Sequence, residues 1–175
     1  TQDSSSAASD VYKRQPSFTT VTMSSNNSTS TLAIVNDVIT LNLTSDEAIK
    51  AGSDPTITVN GNTATVTRNS TTSFTAIYTM SSPADDAIDG SSIPINISTY
   101  TDATGNTGTT VTATTDGSAV TYDKTLPTLG TVTIASDNTY DHLATSGDVI
   151  TLTIVSSENI NTCLLYTSPS PRDEQ

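Results

Sequence analysis

The sequence has little of what a catalytic or nucleic-acid-binding domain relies on. It contains one cysteine, no tryptophan, two phenylalanines, and six Lys and Arg against eighteen Asp and Glu. One thiol cannot build a disulfide framework or a thiolate metal site. A net charge of −12 leaves no basic footprint for nucleic acid or an anionic membrane. No uninterrupted apolar run approaches the roughly 18 residues that mark a membrane-spanning helix. No Gly-x-Ser-x-Gly nucleophile elbow occurs among the many serines. The single histidine, His142, sits in a polar stretch with no cysteine partner. Apolar residues make up only 33% of the chain, a level that also fits disorder. Against disorder, Val, Ile, Thr and Tyr gather in alternating runs, the signature of half-buried strands. No signal peptide opens the chain, whose natural N-terminus is expected to lie upstream.

What is present is a repeat. Asp37-Val38-Ile39-Thr40-Leu41 returns as Asp148-Val149-Ile150-Thr151-Leu152, an offset of 148 − 37 = 111 residues. The same offset runs without a gap from Pro16/Pro127 through Val21/Val132, Asn27/Asn138 and Leu32/Leu143 to Ile49/Ile160. Such a match is an internal repeat and sets the architecture. It implies one complete unit over 16–124 and the start of a second, truncated one over 125–162.

Both ends fall outside this pattern. Asp10–Gln15 back-translates as GAT GTG TAT AAG AGA CAG. The reverse complement of that DNA, read one base on, encodes Cys163-Leu164-Leu165-Tyr166-Thr167. One adapter sequence read on opposite strands thus accounts for both ends, with a natural linker and tail as the alternative. Residues 1–15 and 163–175 are therefore expected to be non-native, adapter-derived tails and are set aside for fold reasoning. The insert then has no cysteine. It keeps three bases, Lys50, Arg68 and Lys124, against fourteen acids.

Along the insert, Phe18–Met23 alternates as a strand. Asp37–Ser45 is the strongest strand, with Ile39, Leu41 and Leu43 turned to the core. Thr56–Val59 and Thr63–Thr67 flank Asn60-Gly61-Asn62, and Asn-Gly supplies the positive φ angles of a tight hairpin. Ser73–Met80 is a strand with Phe74, Ala76, Tyr78 and Met80 on one face. Ile93, Ile95 and Ile97 alternate in another. Ser81–Gly90 reads as an acidic surface loop. Thr110–Thr114 and Ala119–Asp123 read as one bent strand broken at Asp116-Gly117. Short strands with turns about every ten residues and no helical period predict an all-β, antiparallel, two-sheet sandwich. Pro127 stiffens the linker after Lys124. A second copy that stops after two strands cannot bury its own apolar face and is expected to be poorly packed or to borrow an edge from the first unit.

Asp102-x-x-Gly105-Asn106, followed by Val120-Thr121-Tyr122-Asp123-Lys124-Thr125-Leu126-Pro127-Thr128, resembles the repeats of bacterial Ig-like domains. Ser45-Asp46-Glu47-Ala48-Ile49 is similar to a Ser-Glu segment of the same repeats. The resemblance covers Pro16 to Thr162, with Leu126 standing where alanine is usual. It implies an Ig-like β-sandwich from a tandem array in a large surface or secreted protein of the adhesin type. It also implies calcium at inter-repeat joints, since loop carboxylates from adjoining domains can supply hard oxygen ligands. The residues it singles out are Glu47, Asp102 and Asn106 at one joint, and Asp123 and Glu158 at the next. Neither set is complete in this chain, so weak calcium binding is expected. The alternative is that Asp102 and Asn106 shape a turn and the acids form a solvated face.

The expectation is a non-catalytic, extracellular spacer or stalk repeat whose partners are neighbouring repeats of the same chain, with no nucleic acid and no membrane insertion. A ligand- or glycan-binding adhesin module, or an accessory domain of a secreted polysaccharide-degrading enzyme, are the alternatives. Against catalysis, His142 corresponds to Thr31 in the complete unit.

Overall fold

A computed structural model describes residues 15–140 and 142–160. The adapter-like tails, apart from Gln15, lie outside the described residues, as does Cys163. The chain forms two compact units, Thr1–Thr125 and Leu126–Gln175. Among the described residues, regular structure is strand, save one 3-10 turn at Asp86–Ile88. Among the described residues, no helix is long and apolar enough to cross a membrane.

The first unit contains β1 (Phe18–Ser25), β2 (Leu32–Ala33), β3 (Val38–Ser45), β4 (Thr56–Val59), β5 (Asn62–Thr63), β6 (Thr65–Arg68), β7 (Ser73–Thr79), β8 (Ser91–Ser92), β9 (Ile95–Ser98) and β10 (Thr121–Tyr122). They form a four-stranded sheet in the order β1-β3-β7-β6, and two three-stranded sheets, β5-β4-β9 and β2-β10-β8. Pairing is antiparallel except between β2 and β10, which run parallel.

Period-two alternation decides which side chains go inside. Ile39, Leu41 and Leu43 of β3 are buried, as are Val21 and Met23 of β1 and Phe74 and Ala76 of β7. Ile57 and Val59 of β4 and Ile95 and Ile97 of β9 join them in one core, which Tyr100, Val120 and Tyr122 complete. Each large aliphatic side chain so buried contributes roughly 1.5–3 kcal/mol.

The hairpin at Asn60-Gly61 forms as its sequence predicts. Val59 pairs with Asn62, and Asn60 and Gly61 have φ of 50° and 76°. Its second arm departs from expectation. Instead of one strand over Thr63–Thr67, the chain leaves β4 at the buried Ala64, whose N–H donates to the Ile57 carbonyl at 2.9 Å. It continues as β6 in the other sheet, against β7. The bent strand over Thr110–Asp123 also does not form as one element. Val111 bridges Ile97, and only Thr121–Tyr122 is regular strand. Between them Gly117 takes a positive φ of 74°, and the edge of β1 is met partly by side chains. The Val21 and Met23 N–H groups donate to Thr115 Oγ1 (2.9 Å) and Ser118 Oγ (2.8 Å).

The second unit consists of β11 (Leu129–Ser136) paired antiparallel with β12 (Ile150–Ser156). Its details match β1 and β3 at an offset of 111. The register shift between Phe18 and Thr20 has its counterpart between Leu129 and Thr131. Asn27 Nδ2 donates to Asp37 Oδ2 at 2.7 Å, and Asn138 Nδ2 to Asp148 Oδ2 at 2.8 Å. Val38 N–H donates to Asn26 Oδ1 at 2.7 Å, and Val149 N–H to Asp137 Oδ1 at 2.9 Å. A positive φ falls at Asn36 (74°) and at Gly147 (103°). Burial separates the two hairpins. Leu41 and Leu43 are 0% and 1% exposed, whereas Leu152 and Ile154 are 58% and 50% exposed.

Candidate functional site

The polar chemistry of the first unit gathers where the chain enters and where it leaves. At the entering end, β3 finishes in Ser45-Asp46-Glu47. Asp46 accepts the Ser17 N–H at Oδ1 (2.8 Å) and the Ser17 hydroxyl at Oδ2 (3.0 Å), fixing the start of β1. Ser45 Oγ donates to the Glu47 carbonyl at 2.6 Å, closing the turn, and Glu47 is half-buried. Ile49 then bridges Asp102, so the loops carrying Glu47 and Asp102 are neighbours. Arg68 supports this turn from beside it. Its guanidinium donates to the Ile49 carbonyl (3.1 Å) and the Lys50 carbonyl (2.9 Å), pairs with Asp54, and lies 4.9 Å from the centre of the Phe74 ring.

Asp102 is buried and spends its carboxylate within its own loop. Oδ1 accepts the N–H groups of Thr104 (2.9 Å) and Asn106 (2.8 Å), and Oδ2 accepts Asn106 Nδ2 (2.7 Å). The Thr104 hydroxyl lies 2.8 Å from both oxygens. Burial pushes the carboxyl pKa up, but these donors outweigh it and hold the value at about 2. Both carboxylate oxygens are thus engaged by donors from Thr104 and Asn106 within the loop, which fixes the turn. Among the described residues, no group of three or more His, Cys, Asp or Glu side chains is arranged to hold a metal ion.

Asp123 lies at the other end of the same unit. Its N–H donates to the Ala33 carbonyl at 2.9 Å, and its Oδ1 accepts the Thr125 N–H at 3.0 Å. Ile34 N–H in turn reaches Asp37, just before β3 begins. The length of β3 thus separates Asp123 from Glu47, Asp102 and Asn106. Glu158 belongs to the second unit, where its carbonyl accepts the Ser156 hydroxyl as the Glu47 carbonyl accepts Ser45. Ser157 replaces Asp46 there, and its Oγ accepts the Thr128 N–H at 2.9 Å.

The acidic stretch Ser81–Gly90 corrects the expectation of a plain surface loop. Asp85 is 0% exposed. Its Oδ1 accepts Nδ2 of Asn60 (2.9 Å) and of Asn62 (3.3 Å), while Oδ2 accepts the Tyr78 hydroxyl (2.9 Å) and the Ser81 N–H (2.7 Å). Burial above all raises the Tyr78 pKa. Asp86 and Asp89 hold the departing chain. Asp86 Oδ2 pairs with Lys124 Nζ at 2.7 Å. Asp89 accepts the Lys124 N–H at Oδ1 and the Thr125 hydroxyl at Oδ2, both at 2.8 Å. The Lys124 side chain lowers the Asp86 pKa, the Lys124 N–H lowers that of Asp89, and Asp86 raises that of Lys124. These bonds tie Lys124 and Thr125 to the first unit. The sequence held one signal for them: Lys124 is one of three bases between residues 16 and 162, and Asp86 and Asp89 belong to the densest acidic run of that stretch.

Comparison with protein-family models, curated protein sequences and solved structures gives no match to this chain.

Proposed function

We propose that the chain is a non-catalytic, extracellular Ig-like β-sandwich repeat, a spacer or stalk segment of a large bacterial surface or secreted protein of the adhesin type. The observation that carries this reading is the path of the first unit. The chain enters beside Asp46, at the end of β3, and leaves beside Ala33 and Asp89, near its start. A β3 of eight residues separates the two points by about 26 Å at 3.3 Å per residue. Units built this way can follow one another head to tail, each adding its length. The 111-residue recurrence of the opening hairpin supports a tandem arrangement, with neighbouring repeats as the partners. The reading rests on the polypeptide path and needs no calcium.

The test is small-angle X-ray scattering on chains bearing one, two and three copies of residues 16–126. The expected outcome is a maximum dimension that grows by a constant step of about 26 Å or more per copy. Three-copy chains as compact as a single globule of their mass would overturn the spacer reading.

A further inference from the structure

The turn at Asn60-Gly61 is a reactive pair as well as a tight bend. It is the one Asn-Gly step in the chain. The nitrogen of the residue after an asparagine can attack the asparagine's own carboxamide carbon, and a glycine there has no Cβ to obstruct the approach. Gly61 is exposed, and a Cβ at its position would meet nothing within 4 Å. Among the described residues, no hydrogen bond engages its N–H. The Asn60 carbonyl accepts Asn62 Nδ2 at 3.2 Å, which draws charge from the Asn60–Gly61 amide and makes its N–H more acidic. The strand that closes the turn, β5, has only two residues, so the turn can open while the rest of the sheets stay paired. What Asn60 touches gives the reaction its consequence. Its Nδ2 donates to Asp85 Oδ1 at 2.9 Å, and Asp85 is wholly buried. A carboxylate in place of that carboxamide would set acceptor against acceptor, with two like charges at hydrogen-bond distance.

We infer that Asn60 is a site of spontaneous deamidation, and that the reaction dismantles the Asp85 network irreversibly. When the turn opens, hydroxide removes the Gly61 N–H proton and the nitrogen bonds to Asn60 Cγ. The Cγ–Nδ2 bond breaks, Nδ2 takes a proton from water and leaves as ammonia, and a cyclic imide remains. Water then adds to one imide carbonyl. Breaking the new Cγ–N bond gives aspartate at position 60; breaking the backbone C–N bond gives isoaspartate, which also lengthens the main chain by one carbon inside a two-residue turn. The reaction consumes water and releases ammonia, with no oxidant, metal or enzyme. The turn closes on Asp85 only while residue 60 carries a carboxamide, so each conversion is a one-way step that loosens the first unit as the protein ages. This inference concerns the first unit alone and is independent of the spacer reading.

The test is to incubate the whole folded chain at mildly alkaline pH and follow each asparagine by peptide mass spectrometry. The expected result is a gain of one mass unit at Asn60, faster than at any other asparagine and accelerating with pH, as a reaction first order in hydroxide requires. The converted fraction should unfold at a lower urea midpoint than the unreacted chain. Two variants separate the new charge from the lost donor. Asn60→Asp should lower the folding equilibrium constant of the first unit at least about tenfold, because it sets a carboxylate against the buried Asp85. Asn60→Gly accepts the same positive φ, loses the donor without adding charge, and should cost less while gaining no mass at that position. Conversion at Asn60 no faster than elsewhere would overturn the proposal. So would a converted chain as stable as the original, or an Asn60→Asp variant no less stable than Asn60→Gly. The mass measurement is made on the native chain, so it stands even if a variant fails to fold.

Discussion

Asp85 illustrates how much one residue can organise. A buried carboxylate needs all its lone pairs engaged, and here two asparagines, a tyrosine and a backbone N–H engage them. Removing it strands those donors inside the protein. Asp85→Ala is expected to cost about 3 kcal/mol or more, read as a lower urea midpoint with an unchanged slope. A loss below about 1 kcal/mol would show that the network contributes little. Asp102 makes a different prediction, about acid. Its folded pKa of about 2 lies below the ordinary carboxylate value of 3.8. A depressed pKa contributes stability that is present above the unfolded value and is lost as pH falls through the folded one. The first unit should therefore weaken as pH drops from about 4 to 2, and Asp102→Asn should flatten that part of the profile. Asp86 and Asp89, also lowered, add to the same acid-side loss. A stability profile that Asp102→Asn leaves unaltered below pH 4 would contradict the assignment.

At the scale of elements, how far the fold could be read from the sequence depended on how local each signal was. Ile39, Leu41 and Leu43 declare their face by alternation within a single strand, and Asn60-Gly61 declares its turn by backbone chemistry. Both were legible without the structure. The switch of sheets at Ala64 was not, because nothing local distinguishes Thr63 from Thr65; the partner strands β4 and β7 decide it. The edge of β1 was hidden for a similar reason. Thr115 and Ser118 lie more than ninety residues from Val21 and Met23 in sequence. The same distinction holds at the two ends of the first unit. That Asp102 and Asn106 shape a turn could be read from their spacing, four residues apart. The ligands of Asp85 could not, since Asn60 and Asn62 come from a hairpin about 25 residues earlier.

For the whole molecule, the contrast between the units is itself a prediction. Backbone amides of β3 and β7 lie within a sheet whose inner face is closed, so they should exchange with solvent only on global unfolding. Those of β11 and β12 belong to a two-stranded hairpin with an open apolar face, which is marginal at best alone. Hydrogen exchange followed by mass spectrometry should show β12 exchanging at least about a hundredfold faster than β3. Equal protection of the two strands would mean that the second hairpin gains its stability from something other than the packing described.

The two fastenings of the first unit acquire a further meaning when the chain is under tension. At one end Asp46 grips both the N–H and the hydroxyl of Ser17; at the other, Asp89 grips the Lys124 N–H and the Thr125 hydroxyl. A pull along the chain meets these two carboxylates before it reaches any strand ladder. They would act as mechanical fuses, giving way first and re-forming when the load is released, while the core behind them stays closed. Where Asp46 is replaced by Ser157, the grip on Thr128 loses its charge, and that fuse is the weaker one.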